Sequence, residues 1–223
     1  MNEASKTRDQ WTDLELGILQ GSGIDIGCGP DPVTPEVRRF DREHGDANVI
    51  SQYVSDTFDF VFSAHCLEHM NDPWAALAEW WTLVRPGGHL FFIVPDEDLY
   101  EQNIWPSIFN PDHKSTFTSS HGGGRSTVSV NVYDLVAILP GAELIDVRLH
   151  DRGYDRTCLC QRPCPRVRAV IFRSIRWHAL EVLRTLGIRA RLHWFAPLFR
   201  VPIDQTVGDA LAQIQVIVRK GFA

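Results

Sequence analysis

The sequence lacks the usual marks of a membrane or secreted protein. No uninterrupted apolar run is long enough to cross a bilayer, and the opening stretch MNEASKTRDQW is polar, without the apolar core of a secretory signal. A cytoplasmic protein is expected. A disulfide framework is missing too. The cysteines number five, an odd count, so reduced thiols are the expectation. Cys158, Cys160 and Cys164 (CLCQRPC) could offer three zinc ligands, but they have no C-x-x-C spacing and no evident fourth ligand. Space for a helix is lacking between Pro30 and Asp41, because Pro32 and Pro35 interrupt a segment too short for three helical turns. A loop or a single turn is expected there.

With 223 residues the chain can bury one sizeable core, and a single domain over 1–223 is expected, with room for an insertion. The net charge of −6 is unevenly spread. Between Arg166 and Arg200 eight arginines stand against one acid, Glu181, so this stretch carries +7 and the remainder −13. Interleaved with Phe172, Trp177, Trp194, Phe195 and Phe199, it suits contact with an anionic membrane surface, or with a phosphorylated, lipid-linked or polyanionic acceptor. A helical insertion packing its apolar side on the body is the other reading. The expected basic insertion runs from about 151 to 205.

The most informative stretch is Gly23 to Pro30, GIDIGCGP, an apolar strand entering a glycine turn. Gly27 and Gly29 permit positive φ and close approach of a ligand to the backbone, and Asp25 places a carboxylate beside them. In open α/β sheets such a turn, at the carboxyl end of a parallel strand, is where nucleotides bind. Val37 to Phe40 reads as the next strand, ending at Asp41, and another is sought within Asn48 to Val54. Phe58 to Phe62 is an apolar run of central-strand type. Asp72 and Pro73 open a helix that presents Trp74, Leu77, Trp80, Trp81 and Val84 at helical spacing. Pro86-Gly87-Gly88 stops it and leads to a strand over Leu90–Val94. A helix over Val130–Leu139, a strand over Glu143–Leu149 and a last strand over Ala212–Val218 follow. Residues 8–20 fit a short helix or an extended lead-in equally well. The long polar and aromatic segment at 96–128 reads as an acceptor lid.

GIDIGCGP, FDFVFSAHCLEHM (58–70) and VRPGGHLFFIVP (84–95) together resemble motifs of the class I S-adenosylmethionine-dependent methyltransferases. The resemblance implies an α/β, doubly wound, Rossmann-like sheet, mostly parallel and seven-stranded, with an antiparallel edge strand. It implies S-adenosyl-L-methionine as donor, held by Asp25, Gly27, Cys28 and Gly29, with its ribose on Asp41 and its adenine near Asp46 and Ala47. Ser63 and His65 complete the implied donor contacts. Related methyltransferases with Glu-x-x-Glu-His after the fourth strand hold a divalent metal there; this chain has His65 in place of the first Glu, followed by Glu68 and His69. Asp112-His113-Lys114 resembles a further ligand stretch. Glu68, His69 and His113 are thus the implied metal ligands, and His69, His113 and His65 the implied catalytic residues; a metal-free reading, in which a histidine is the base, stands beside it. His69 and His113 are expected to meet over the acceptor pocket. LYEQNIWPSIFNPDHKSTFT resembles proteins of bacterial surface-polysaccharide clusters, which implies a sugar or glycan acceptor. A small metabolite or RNA end, or a binding module without activity, is the alternative; otherwise no nucleic-acid partner is expected.

Overall fold

The computed structural model describes residues 3–120, 124, 126–159, 171, 174, 175, 178 and 202–222. Among them eight strands run in chain order: β1 (Gly23–Ile26), β2 (Arg38–Phe40), β3 (Phe58–Ala64), β4 (Val84–Pro95), β5 (Thr116–Thr118), β6 (Ser129–Asn131), β7 (Ala142–His150) and β8 (Gln213–Lys220). The α-helices with described bounds are α1 (Glu3–Arg8), α2 (Asp13–Ile18), α3 (Pro73–Thr82) and α4 (Val132–Ala137). The main sheet has the order β2-β1-β3-β4-β8-β7. β2, β1, β3 and β4 pair in parallel, while β8 runs antiparallel to both β4 and β7, one strand in from the edge.

Strand alternation sorts the core into two layers. Ile24, Ile26, Val61, Leu90, Phe92, Val94 and Val216 face α3, α4 and the turn around Ile50. Phe60, Phe62, Phe91, Ile93 and Ile217 face the other way, onto Ala4, Trp11, Ile18, Leu19 and Val33. This two-sided burial explains the apolar runs of β3 and β4, since both faces of a central parallel strand are covered. Trp11 meets the rings of Phe62 and Phe91 at centroid distances of 5.9 and 5.4 Å.

Several expectations change. The sheet has six strands rather than seven, because residues 47–52 form a 3-10 turn, not a strand. Asp46 caps that turn by accepting from the Asn48 amide at 2.9 Å, and Trp80 Nε1 donates to the Ala47 carbonyl at 2.8 Å. Only Ile50 is buried within it, so no alternating apolar face exists to drive pairing. The first crossover is a loop, as its prolines require. Residues 13–18 are helical, fixed by a reciprocal cap between Thr12 and Glu15. Glu15 is buried and binds Arg148 on β7 at 2.9 Å and Gln215 on β8 at 2.8 Å, which ties α2 to the sheet. The expected helix over 130–139 shortens to Val132–Ala137; Asn131 caps it, and the residues before it join β5 in a small parallel sheet. The 96–128 segment is therefore largely built structure, with Leu99, Ile104, Ile108 and Phe117 buried.

The described residues near the two ends of the expected 151–205 insertion meet: Asp155 and Gln205 exchange hydrogen bonds of 2.8 and 3.0 Å, and the Leu211 amide donates to the Arg152 carbonyl at 2.9 Å. Cys160, Cys164 and nearly all of 166–200 lie outside the described residues. Cys158 is described, and its thiol lies 3.3 Å from Asp155. No described helix is long and apolar enough to cross a membrane.

A Cβ on Gly23 would stand 2.0 Å from the Phe60 ring, itself buried against Trp11 and Ile93. Gly23→Ala should therefore lower unfolding stability by about 1–3 kcal/mol through overpacking. Urea titration reads it; an unchanged midpoint contradicts so close an approach of β1 and β3.

Candidate functional site

The carboxyl ends of β1 and β3 lie side by side, with Ile26 opposite Ser63. The loops that leave them are pressed together at Gly27 (φ +77°), where a Cβ would meet the Cys66 side chain at 2.7 Å. The Gly27 amide donates to the carbonyl of Phe40, the last residue of β2, at 2.7 Å. His65, the first residue after β3, is held at φ +53°, a conformation that costs a non-glycine residue energy and tends to occur at functional positions.

Two clefts open here and share Gly27 and His65. The larger, about 700 Å³, is bordered by Phe40, Asp41, Asp46, Ala47, Tyr53 and His69 among others. The smaller, about 170 Å³, is bordered by Asp25, Cys28, Gly29 and Asp31. One Asp41 oxygen accepts from the Gly29 amide at 2.8 Å and the other from Arg42 at 2.7 Å, so the glycine turn and this carboxylate hold each other. Asp25 is 1% exposed. One of its oxygens accepts from the Val33 amide at 2.7 Å; the other has no hydrogen-bond partner among the described residues. Burial pushes the Asp25 carboxyl up to about 7, against the lowering effect of the Val33 amide. Burial likewise raises the thiols of Cys28 and Cys66, which makes neither a ready nucleophile.

Beside the larger cleft lies a second constellation. Leu67–His69 form one 3-10 turn after β3, and the Glu68 carbonyl accepts from the amides of Lys114 at 2.8 Å and Ser115 at 3.3 Å. Those two bonds join the loop after β3 to the 112–114 stretch. The rings of His69 and His113 come to 5.1 Å between centroids, and Tyr100 stacks on His113 at 5.2 Å. The Glu68 side chain is 1% exposed and neither of its oxygens has a hydrogen-bond partner among the described residues. Three imidazole nitrogens face its Oε1: His65 Nδ1 at 3.5 Å, His69 Nε2 at 3.9 Å and His113 Nε2 at 3.9 Å. Burial alone would raise the Glu68 carboxyl, but His65, His113 and His69 hold it below its usual value. One ligand atom each from Glu68, His69 and His113 lie within 4.8 Å of one another, a grouping that can hold a metal ion.

The structure thus brings together Asp25, Gly27, Cys28, Gly29, Asp41, Asp46, Ala47 and His65 around the clefts, and Glu68, His69 and His113 beside them. Two placements differ from the sequence reading. Ser63 is 1% exposed, and its hydroxyl donates to the Ile26 carbonyl at 2.9 Å, so it locks β3 to β1 and borders neither cleft. His113 is 7% exposed and sits behind His69, away from the cleft wall. Sequence reasoning missed Tyr53, exposed on the larger cleft, and the relay in which Asn71 donates to Asn48 at 2.8 Å and accepts from Lys114 at 2.7 Å. It also missed Gln213, which binds His65 Nε2 at 2.8 Å from β8. Its distance in sequence hid the pairing.

Residues 31–92 match the family model described as Methyltransferase domain. Among curated proteins, a ubiquinone biosynthesis O-methyltransferase of Aromatoleum aromaticum is 25% identical over 120 residues, covering 41% of this chain and 51% of that one. The chain therefore spans about half the length of the curated relative it matches. A solved structure of a candidate sarcosine dimethylglycine methyltransferase from Galdieria sulphuraria is similar with a TM-score of 0.50 at 12% identity, over 97% of this chain and 85% of that one. A candidate methyltransferase from Bacillus halodurans gives a TM-score of 0.49 at 11% identity, over 93% and 96%. At 12% identity the likeness to the Galdieria protein is one of fold.

Asp25 makes the clefts testable without a ligand. Between the ordinary carboxyl value of 3.8 and about 7, the folded chain retains a proton that the unfolded chain has released, so stability falls as pH rises across that window. Asp25→Asn should stabilise the free protein by about 3–4 kcal/mol near pH 8 and hardly at all near pH 4. Denaturant unfolding at both pH values reads this, and an equal gain at both contradicts a buried, unpaired carboxylate.

Proposed function

Because residues 31–92 match a methyltransferase domain, we propose that this chain is an S-adenosylmethionine-dependent O-methyltransferase acting on a sugar or glycan hydroxyl in surface-polysaccharide assembly. The donor fits the two joined clefts. Asp41 is placed to accept from a ribose, Tyr53 and the 45–47 turn offer a wall to adenine, and the unpartnered oxygen of Asp25 suits the ammonium of the donor's amino-acid end. In this reading the sulfonium and its methyl group lie beside His65 and Gly27, which are common to both clefts. Methyl transfer is an in-line displacement from an activated donor, so the protein must align the acceptor and help it lose a proton.

The observation that carries the hydroxyl reading is the buried Glu68 carboxylate, ringed by imidazoles at the edge of the donor cleft and with no hydrogen-bond partner for either oxygen among the described residues. An anion so placed calls for a cation. Glu68, His69 and His113 offer a mixed oxygen and nitrogen set for a divalent ion, which would lower the pKa of a hydroxyl brought to it. An amine acceptor would have little need of such a site. Neighbouring hydroxyls on a sugar could meet it as a pair, and the resemblance of 99–118 to proteins of surface-polysaccharide clusters supports that acceptor. The curated relative, by its description an O-methyltransferase, supports oxygen as the methylated atom.

S-Adenosylhomocysteine should raise the melting temperature by mass action. Asp41→Ala should weaken its binding by about 1.5–3 kcal/mol, measured by calorimetry. No thermal shift at millimolar ligand, in folded protein, would remove the donor reading. With a deuteromethyl-labelled donor, label should appear on oxygen in sugar acceptors, vanish with chelator and return with a divalent ion. Turnover indifferent to chelator would instead make a histidine the base.

A further inference from the structure

The cluster beside the cleft is completed by a residue from a different element. Glu101 ends the short π-helical turn Glu97–Glu101, which follows β4. Its Oε1 lies 2.7 Å from His113 Nδ1, with the two side chains 4% and 3% exposed. A carboxylate has no hydrogen to give, so His113 Nδ1 must donate, and the neutral ring keeps its lone pair on Nε2. Nε2 is the atom that faces Glu68 at 3.9 Å. His69 obeys the same rule: Nδ1 lies 3.2 Å from the Asp112 carbonyl, which can only accept, and Nε2 faces Glu68 at 3.9 Å. Two lone pairs and a carboxylate therefore converge with no hydrogen atom between them. Glu68 and Glu101 also bring two buried acidic side chains to the cluster, whose charge a divalent cation would offset.

Resting on the reading that Glu68, His69 and His113 hold a cation, we propose that Glu101 is the positioning residue of that site. It fixes His113 as the Nδ1–H tautomer, raises the donor strength of Nε2, and biases the site towards nitrogen-preferring divalent transition ions over magnesium. Glu101 does not border the donor cleft, so its removal leaves the donor contacts in place.

The test uses full-length protein freed of metal by chelator and shown to bind S-adenosylhomocysteine by thermal shift. Cobalt(II) is titrated in, followed by its visible absorption, and displaced by zinc. The wild type should bind cobalt, and Glu101→Gln, which keeps the shape but not the charge, should bind it about 10- to 100-fold more weakly while its response to S-adenosylhomocysteine is unchanged. Long-range proton–nitrogen NMR of the unsubstituted, metal-free protein should show His113 protonated at Nδ1, a readout that does not depend on whether the variant folds. Equal cobalt affinities, or His113 protonated at Nε2, would overturn the role of Glu101 and leave the cation site standing. Failure of the wild type to bind cobalt while it still binds S-adenosylhomocysteine would overturn the cation reading, and Glu101's role with it, but not the donor reading.

Discussion

The close approach of β1 to β3 is the constraint on which the rest depends. Gly23 lies against the Phe60 ring and Gly27 against Cys66, and at neither place is there room for a Cβ. That proximity brings two loops together at the carboxyl edge of the sheet, one carrying Asp25 and Gly29 and the other carrying His65, Glu68 and His69. Ser63, donating to the Ile26 carbonyl, pins the register that aligns them. The two layers of aromatic and branched side chains on either face hold the strands in this relation, and hydrophobic burial on that scale supplies the driving force.

Against this rigid floor the chain retains features that cost stability. Asp25 and Glu68 are buried carboxylates with oxygens that have no hydrogen-bond partner among the described residues, and His65 sits at positive φ. Burying an ionised carboxylate without hydrogen bonds is expensive, and all three features cluster within one edge of the sheet. Glu15, also buried, is by contrast matched by Thr12, Gln215 and Arg148. The contrast separates a structural carboxylate from one kept ready for a ligand. A donor's ammonium at Asp25 and a cation at Glu68 would remove both costs, so binding and folding share the same groups.

Much of this was legible in the sequence because it is local. The glycine turn, the Asp72-Pro73 helix start and the apolar runs of β3 and β4 are short-range signals, and they appear where expected. The strand sought within 48–54 was asked for by the resemblance rather than by any apolar pattern, and Asp46 and the indole of Trp80 fix the segment as a turn. The pairing of His69 with His113 could be expected from a resemblance, but the placement of His113 behind His69 could not. Glu101 and Gln213 were invisible, since each meets its histidine only through tertiary folding. The polar face of β8, with Gln213 and Gln215 buried where a strand pattern calls for apolar side chains, is the one sequence irregularity that could have pointed there.

The account's central claim is that donor and cation share one site at the ends of β1 and β3. The most direct measurement is an anomalous difference map at the manganese edge, from crystals grown with S-adenosylhomocysteine and manganese(II). The account predicts nucleoside density over Asp41, amino-acid density against Asp25, and one strong peak among Glu68 Oε1, His69 Nε2 and His113 Nε2. Nucleoside density elsewhere, or a bound donor with no peak at those three atoms, would contradict it.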